Sequence, residues 1–388
     1  MDHTTASHTI APDAANTSGD TTVIADLPRL RGWYRRGNPR TGFWYENAKG
    51  QAIRSPAHLK RIEQLHIPPG WRDVRISPSH TANLQATGFD AKGRKQYIYH
   101  PDFVARQARK KFERLATFAH ALPRMREVTN AHLHLEGLPK EKVLAAVVRL
   151  INETYFRVGS QRYAKHHRTF GATSLRKRHC RIEGRRIIFT FRGKRAVVHR
   201  RIVTDEVLIC VVTDLLQLPG KQLFQYQTED GTVQSVSERM LNAYLKEVLH
   251  PACSAKDFRT FGGSLLAAQI LAELGPPESA RDAKKKLTTC VRRVAERLGN
   301  TPAVTRSSYI HPVVFELFEQ GKTLNDVQKV RRYRRVISRQ SGHTPEEAAF
   351  LQLLEIEARV QMATSAGEVG ERSARNAPKA SADSGREK

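Results

Sequence analysis

Residues 180–203 read CRIEGRRIIFTFRGKRAVVHRRIV. Three runs rich in β-branched and aromatic residues, CRI, RIIFTF and AVVHRRIV, are divided by Glu183-Gly184-Arg185 and Arg192-Gly193-Lys194. That pattern predicts a three-stranded antiparallel meander with Lys194 at the tip of its second hairpin. On both sides the apolar period changes to that of helices. Upstream, Phe112, Leu115 and Phe118, then Val143, Val147, Leu150 and Ile151, recur at helical spacing. Downstream, helices are expected over about 235–248, 256–274, 279–298 and 302–320. The third ends at Gly299, and the fourth opens with Thr301-Pro302 as N-cap and first-turn proline. A small meander set among long helices makes the fold class α+β, with a larger, mainly α domain over 105–323.

Nearer the N-terminus the period is two. Between Trp33 and His100 the runs GFWYE, VRIS, LQATG and QYIYH alternate, broken by Asn-Ala-Lys-Gly at 47–50 and Asp-Ala-Lys-Gly at 90–93. A small, mainly β N-terminal domain is expected over 27–104. After it come the helical domain and a charged helical extension over 324–363. Residues 1–26 and 364–388 are small and polar, without a pattern that could pack, and read as disordered tails.

The 388 residues suffice for two or three domains, and 39% hydrophobic with 27% charged residues is the balance of a globular chain. Lys and Arg number 65 against 38 Asp and Glu, a net charge of +27. Such an excess calls for a polyanion, and nucleic acid is the expected partner. The apolar stretches around 207–216 and 265–274 are too short to cross a bilayer, and 1–26 lacks an apolar signal core. A cytoplasmic protein without membrane contact is expected. Cys180, Cys210, Cys253 and Cys290 include no C-x-x-C pair and read as reduced thiols.

Gly321-Lys322-Thr323 ends like a phosphate-binding loop, but Glu316 stands where that loop needs its first glycine, so ATP binding is not expected. His132 and His134, placed near a helix start, and the adjacent His166-His167 lack a carboxylate or thiolate to complete a ligand set. No metal or other cofactor is expected. Single basic runs, at 106–111 and 284–286, read as solvated helix faces.

Cutting a phosphodiester without a metal needs a side-chain nucleophile, cations on the phosphoryl oxygens and an acid for the departing oxygen. Five segments could supply these: Phe156-Arg157-Val158-Gly159, Arg192-Gly193-Lys194, Lys256-Asp257-Phe258-Arg259-Thr260, Leu298-Gly299-Asn300-Thr301-Pro302 and Arg306-Ser307-Ser308-Tyr309. In this order, together with GRKQYIYHP and TSLRKRHCRI, they resemble the type IB DNA topoisomerases, in particular the compact poxvirus-like group that also occurs in bacteria. The likeness runs from about Leu27 to about Gly321. It implies the catalytic fold shared by tyrosine recombinases and topoisomerases IB.

The resemblance implies roles. Tyr309 would be the nucleophile, forming a 3′-phosphotyrosyl link. Arg157 and Arg259 would hold the non-bridging oxygens, and Lys194 would protonate the leaving 5′-oxygen. Asn300 stands where viral members carry histidine, and it can donate a hydrogen bond but no proton. Gly342-His343-Thr344-Pro345 looks like the viral version of that motif, yet the ninth residue after His343 is Gln352, so it reads as a helix start. Gln96, Tyr97 and Tyr99 match the segment that reads the major groove, with both tyrosines on one strand face, and Tyr163 matches a further DNA-contacting position. The implied activity is ATP-independent relaxation of supercoiled duplex DNA by a monomer that clamps it.

Two rivals stand beside this reading. A tyrosine recombinase would share the constellation, but its usual His-x-x-Arg box has Lys256 in the first position here. A non-catalytic DNA-binding protein would need only the charge.

Overall fold

The structure, a computed structural model, describes residues 32–328 and 342–356. Both expected tails, and residues 329–341 and 357–363 of the expected extension, lie outside the described residues. The chain divides into two compact units, 1–112 with 254–256, and 113–253 with 257–388.

The first unit is a five-stranded antiparallel sheet of β1 (Trp33–Asn38), β2 (Gly42–Glu46), β3 (Arg72–Ile76), β4 (Leu84–Phe89) and β5 (Lys95–Tyr99). Its strand order is β2-β1-β3-β4-β5. The two turns expected from sequence close as read: Asn47 Oδ1 accepts from the Lys49 and Gln51 amides, and Asp90 Oδ1 from those of Lys92 and Arg94. Two elements escaped the pattern, β1 and the helix α1 (Pro56–Gln64). α1 is only nine residues long and buries only Ile62. Arg61 instead ties it to the sheet, donating to the carbonyls of Ser77 and Pro78 and to Gln85 Oε1. Trp33, Ile62, Val74, Ile76 and Ala86 form the core.

The helix α2 (Pro101–Leu133) leads out of this unit. The second unit is mainly helical: α3 (Lys140–Thr154), α4 (Gln161–His167), α5 (Glu206–Gln217), α6 (Glu238–Val248), α7 (Ala255–Leu274), α8 (Ala280–Leu298), α9 (Pro302–Tyr309) and α10 (Pro312–Glu319). The expected meander is present as β6 (Cys180–Glu183), β7 (Arg186–Arg192) and β8 (Val198–Val203), in the order β6-β7-β8. Ile187, Phe189, Phe191, His199 and Val203 form its buried face. Phe118 of α2 meets Phe258 of α7 edge-on, with ring centroids 4.9 Å apart, at the centre of the helical core.

The single helix expected over 302–320 is two. Pro312 lacks the N–H that a continuing helix would use, and it begins α10 with His311 as N-cap, whose Nδ1 accepts from the Val313 amide at 3.1 Å. Tyr309 is therefore the last residue of a short helix rather than mid-helix. Beyond it, residues 345–356 are helical and pack into the second unit. Phe350 lies 5.6 Å from the Phe261 ring, and Glu347 pairs with Arg126 of α2 at 2.6 Å. The helix start read at Gly342–Pro345 is a capping box, with Thr344 Oγ1 accepting from the Glu347 amide and the Glu347 carboxylate from the Thr344 amide. No helix among the described residues is long and apolar enough to cross a membrane.

Candidate active site

Four chain segments converge around Tyr309. The first follows α3. Tyr155 takes a left-handed conformation (φ 57°) that ends the helix, and Phe156 is buried edge-on against Phe191, centroids 4.7 Å apart. Burying Phe156 fixes the backbone of Arg157, whose carbonyl accepts from the Ala172 amide at 2.8 Å. The Arg157 guanidinium is thereby directed at Asn300 Oδ1, which it hydrogen-bonds, and lies near enough to the Tyr309 phenol to feel its charge.

Arg259 comes from α7 and is only 3% exposed. Its guanidinium donates to the Tyr155 carbonyl and, at 2.9 Å, to the Leu298 carbonyl. It also lies over the ring of Tyr309, its Cζ 5.1 Å from the centroid. Two backbone carbonyls at helix ends thus orient a buried cation that has no carboxylate partner among the described residues. Burial, and then the neighbouring Arg259 charge, lower the pKa of Arg157 to about 10, with Tyr309 opposing the shift. Burial lowers that of Arg259 too, again against Tyr309. At neutral pH both guanidiniums stay charged, and both act on the Tyr309 phenol.

Asn300 follows Gly299, the left-handed residue (φ 62°) that ends α8. Because arginine only donates, the amide oxygen faces Arg157 and the Asn300 Nδ2 is left buried without a hydrogen-bond partner. Such an orphaned donor is costly unless a ligand uses it. Tyr309 itself is held by its backbone: Ser264 Oγ lies 3.3 Å from the Tyr309 carbonyl and accepts from the His311 amide at 2.9 Å.

Lys194 lies on the β7–β8 tip, as the sequence predicts, and is half-buried. The tip closes with a 2.7 Å bond from the Gly193 amide to the Val197 carbonyl, while Arg195 and Ala196 both have φ of 61°. Arg195 is near enough to depress the Arg157 pKa further. The structure therefore brings Tyr309, Arg157, Arg259 and Asn300 into one cluster, bordered by the Lys194 tip.

The candidate DNA-contacting residues lie elsewhere. Gln96, Tyr97 and Tyr99 are on β5, an edge strand of the first unit. The two tyrosines stack, centroids 6.0 Å apart at 14°, on the shared face expected of them. Gln96 Nε2 donates to Asp90 at 3.1 Å. Tyr163, on α4 of the second unit, is 39% exposed with its ring against His167.

Three parts of the site were not singled out in sequence. The Tyr155 and Leu298 carbonyls carry no side-chain signal. His199, buried beside Arg157 and Arg259, carries no local signal either: it sits between two motif glycines in space, Gly193 and Gly299, whose missing side chains leave room for its ring. Burial, then Arg157, Arg201 and Arg259, lower its pKa to about 4.

Among the described residues no group of three or more His, Cys, Asp and Glu could hold a metal ion. His132 lies at the end of α2, not at a helix start, and its Nδ1 is 2.7 Å from the Tyr244 hydroxyl. His134, just past that helix, bonds the Asn130 carbonyl. The four thiols are unpaired as disulfides, with Cys253 and Cys290 buried.

Comparison with known proteins bears on the whole arrangement. Residues 100–334 match the family model of the eukaryotic DNA topoisomerase I catalytic core, and residues 42–90 match that of the bacterial DNA topoisomerase IB N-terminal domain. The DNA topoisomerase 1B of Acanthamoeba polyphaga mimivirus is 29% identical over 301 residues, covering 75% of this chain and 89% of its own. That of vaccinia virus (strain Copenhagen) is 23% identical over 280 residues, covering 72% and 84%. Among solved structures, the XerH site-specific recombinase bound to its difH substrate covers 57% of this chain and 56% of its own. Its TM-score of 0.31 and 14% identity are too slight a likeness to weigh. With the first family model spanning more than half of the sequence and enclosing the whole Tyr309 cluster, the chain belongs to the type IB DNA topoisomerase family.

Proposed function

We propose that Tyr309 is the nucleophile with which this topoisomerase relaxes supercoiled DNA, and that the reaction needs neither ATP nor a metal ion. The observation that carries this reading is the pair of buried guanidiniums, Arg157 and Arg259, set beside the Tyr309 side chain and acting on its charge. Two fixed cations stabilise a phenolate and, after attack, the charge that builds on the non-bridging oxygens. The Tyr309 oxygen forms a bond to phosphorus as the bond to the 5′-oxygen breaks. The phenol proton passes to solvent, and Lys194 protonates the departing 5′-oxygen. Asn300 Nδ2, which has no protein partner, donates to a phosphoryl oxygen. The phosphotyrosyl bond keeps the phosphodiester energy, so religation is the same steps in reverse once the free strand has rotated.

Gln96, Tyr97, Tyr99 and Tyr163 contact the duplex in this reading, the β5 residues from the major groove. A stacked tyrosine pair on an edge strand supports it, because stacking holds both rings where they can pack on thymine methyls. The enzyme is taken to act as a monomer clamping duplex DNA in a bacterial cytoplasm, in keeping with its bacterial-type N-terminal domain. The test is relaxation of supercoiled plasmid in EDTA without ATP, run beside Tyr309→Phe. Relaxation and a covalent protein–DNA adduct are expected from the wild type, with neither from the variant. Exchange of strands between two marked duplexes would instead support the recombinase reading.

A further inference from the structure

His199 belongs to no group that the chemistry above uses, yet its position is tightly prescribed. It pairs across the hairpin with Phe191, whose ring stacks on it at 5.2 Å and 26°. The Phe156 ring meets it edge-on at 6.0 Å, and two glycine backbones close against its edge. A Cβ on Gly193 would lie 2.5 Å from the His199 Cδ2 and Nε2, and one on Gly299 would lie 2.3 Å from its Cε1. The ring edge thus fills the space between the residue before Lys194 and the residue before Asn300. Two segments more than a hundred residues apart in sequence meet across one imidazole.

The tip that carries Lys194 needs such a support. Arg195 and Ala196 both adopt positive φ, a conformation that residues with side chains rarely take without tertiary restraint. Covered by two glycine backbones and the rings of Phe191 and Phe156, His199 is itself shut off from a phosphate in the site. The charged groups around it are Arg157, Arg201 and Arg259, and a neutral ring adds no fourth positive charge to them.

We propose that His199 is a positioning residue for Lys194, a neutral wedge between Gly193 and Gly299 that fixes the hairpin tip relative to the Asn300 turn. The proposal rests on the reading of Lys194 as the acid for the 5′-oxygen. Displacing the wedge leaves the Arg157–Arg259–Tyr309 cluster able to attack but moves the proton donor, so the defect falls on departure of the leaving group.

A sulfur in place of the scissile 5′-oxygen isolates that step, because a thiolate departs without being protonated. Single-turnover cleavage is measured on two duplexes, identical but for that atom, at a site the wild type cleaves, with His199→Ala and Lys194→Ala side by side. On the oxygen duplex His199→Ala is expected to slow cleavage by about 30-fold, the scale of a displaced catalytic group. On the sulfur duplex both variants are expected to recover to within about threefold of wild type. If Lys194→Ala is not rescued by sulfur, the reading of Lys194 as the acid fails. If Lys194→Ala is rescued and His199→Ala is slowed equally on both duplexes, or on neither, the positioning role fails alone. Should His199→Ala not fold, Gly193→Ala, which drives a methyl group into the same ring edge, is expected to give the oxygen-specific defect. Failure of both to fold would make His199 an element of the core and overturn the proposal.

Discussion

At Arg259 a single guanidinium makes three interactions, hydrogen bonds to the Tyr155 and Leu298 carbonyls and a cation–π contact with the Tyr309 ring. A lysine is a point donor on a flexible stem and cannot satisfy all three at once. Arg259→Lys is therefore expected to lower the rate of strand cleavage by about 10²-fold or more, read in single-turnover assays, although the charge is kept. Asn300 offers a second distinction. Asn300→Ala removes only a donor and is expected to slow cleavage about tenfold, whereas Asn300→Asp sets a carboxylate against Arg157, neutralises it, and is expected to be slower than the alanine variant in the same assay. At this scale the sequence disclosed the residues that carry charge or a nucleophile in recognisable motifs. It could not disclose that Arg259 is oriented by carbonyls, since every residue has one, nor that Asn300 and Arg157, 143 positions apart, share a hydrogen bond.

Among the elements, the meander and most helix boundaries were legible because each follows from a local period and local turn chemistry. The helix read across 302–320 was not, since α9 and α10 have compatible apolar spacing and only Ile310 and His311, ahead of Pro312, separate them. The helix over 345–356 was legible as a helix but not as a core element, because its charged look hides Phe350, Leu353 and Leu354, all buried. Its Glu347 caps the helix and pairs with Arg126, both oxygens engaged at 2.6 and 2.8 Å. Burial raises the Glu347 pKa, but the Arg126 hydrogen bonds and charge outweigh burial and hold it below the usual carboxylate value. A depressed carboxylate stabilises the fold above its unfolded pKa and loses that contribution as the pH falls through the folded value. Glu347→Ala is expected to destabilise the second unit by about 2 kcal/mol at pH 7, measured by denaturant titration, and the difference from wild type to shrink in acid.

For the molecule as a whole, a charge of +27 makes DNA affinity a function of salt. Binding is expected to weaken by about 10³-fold or more between about 50 and about 200 mM salt in a filter or anisotropy titration, the behaviour of six or more phosphate contacts. Acid acts on a different part of the ledger. His179 and His199 are both held neutral, with burial the main cause and pKa values lowered from 6.5 to about 4. The unfolded chain takes up their protons first, so stability is full above about pH 6.5 and declines as the pH falls towards 4. Melting temperatures across that window should fall, and less so in a chain with either histidine replaced by glutamine. The total charge was plain in the sequence. The two neutral histidines were not, because burial is decided by packing far along the chain.

The helix over 345–356 also bears on how the gene is handled. The catalytic-core match ends at residue 334, an inviting place to stop for anyone seeking a minimal enzyme. A protein cut there would lose the cover over Phe261, on the same α7 that carries Arg259, and the partner of Arg126 on α2. It should be recovered mostly in the insoluble fraction, while a chain ended after residue 356 should stay in the supernatant.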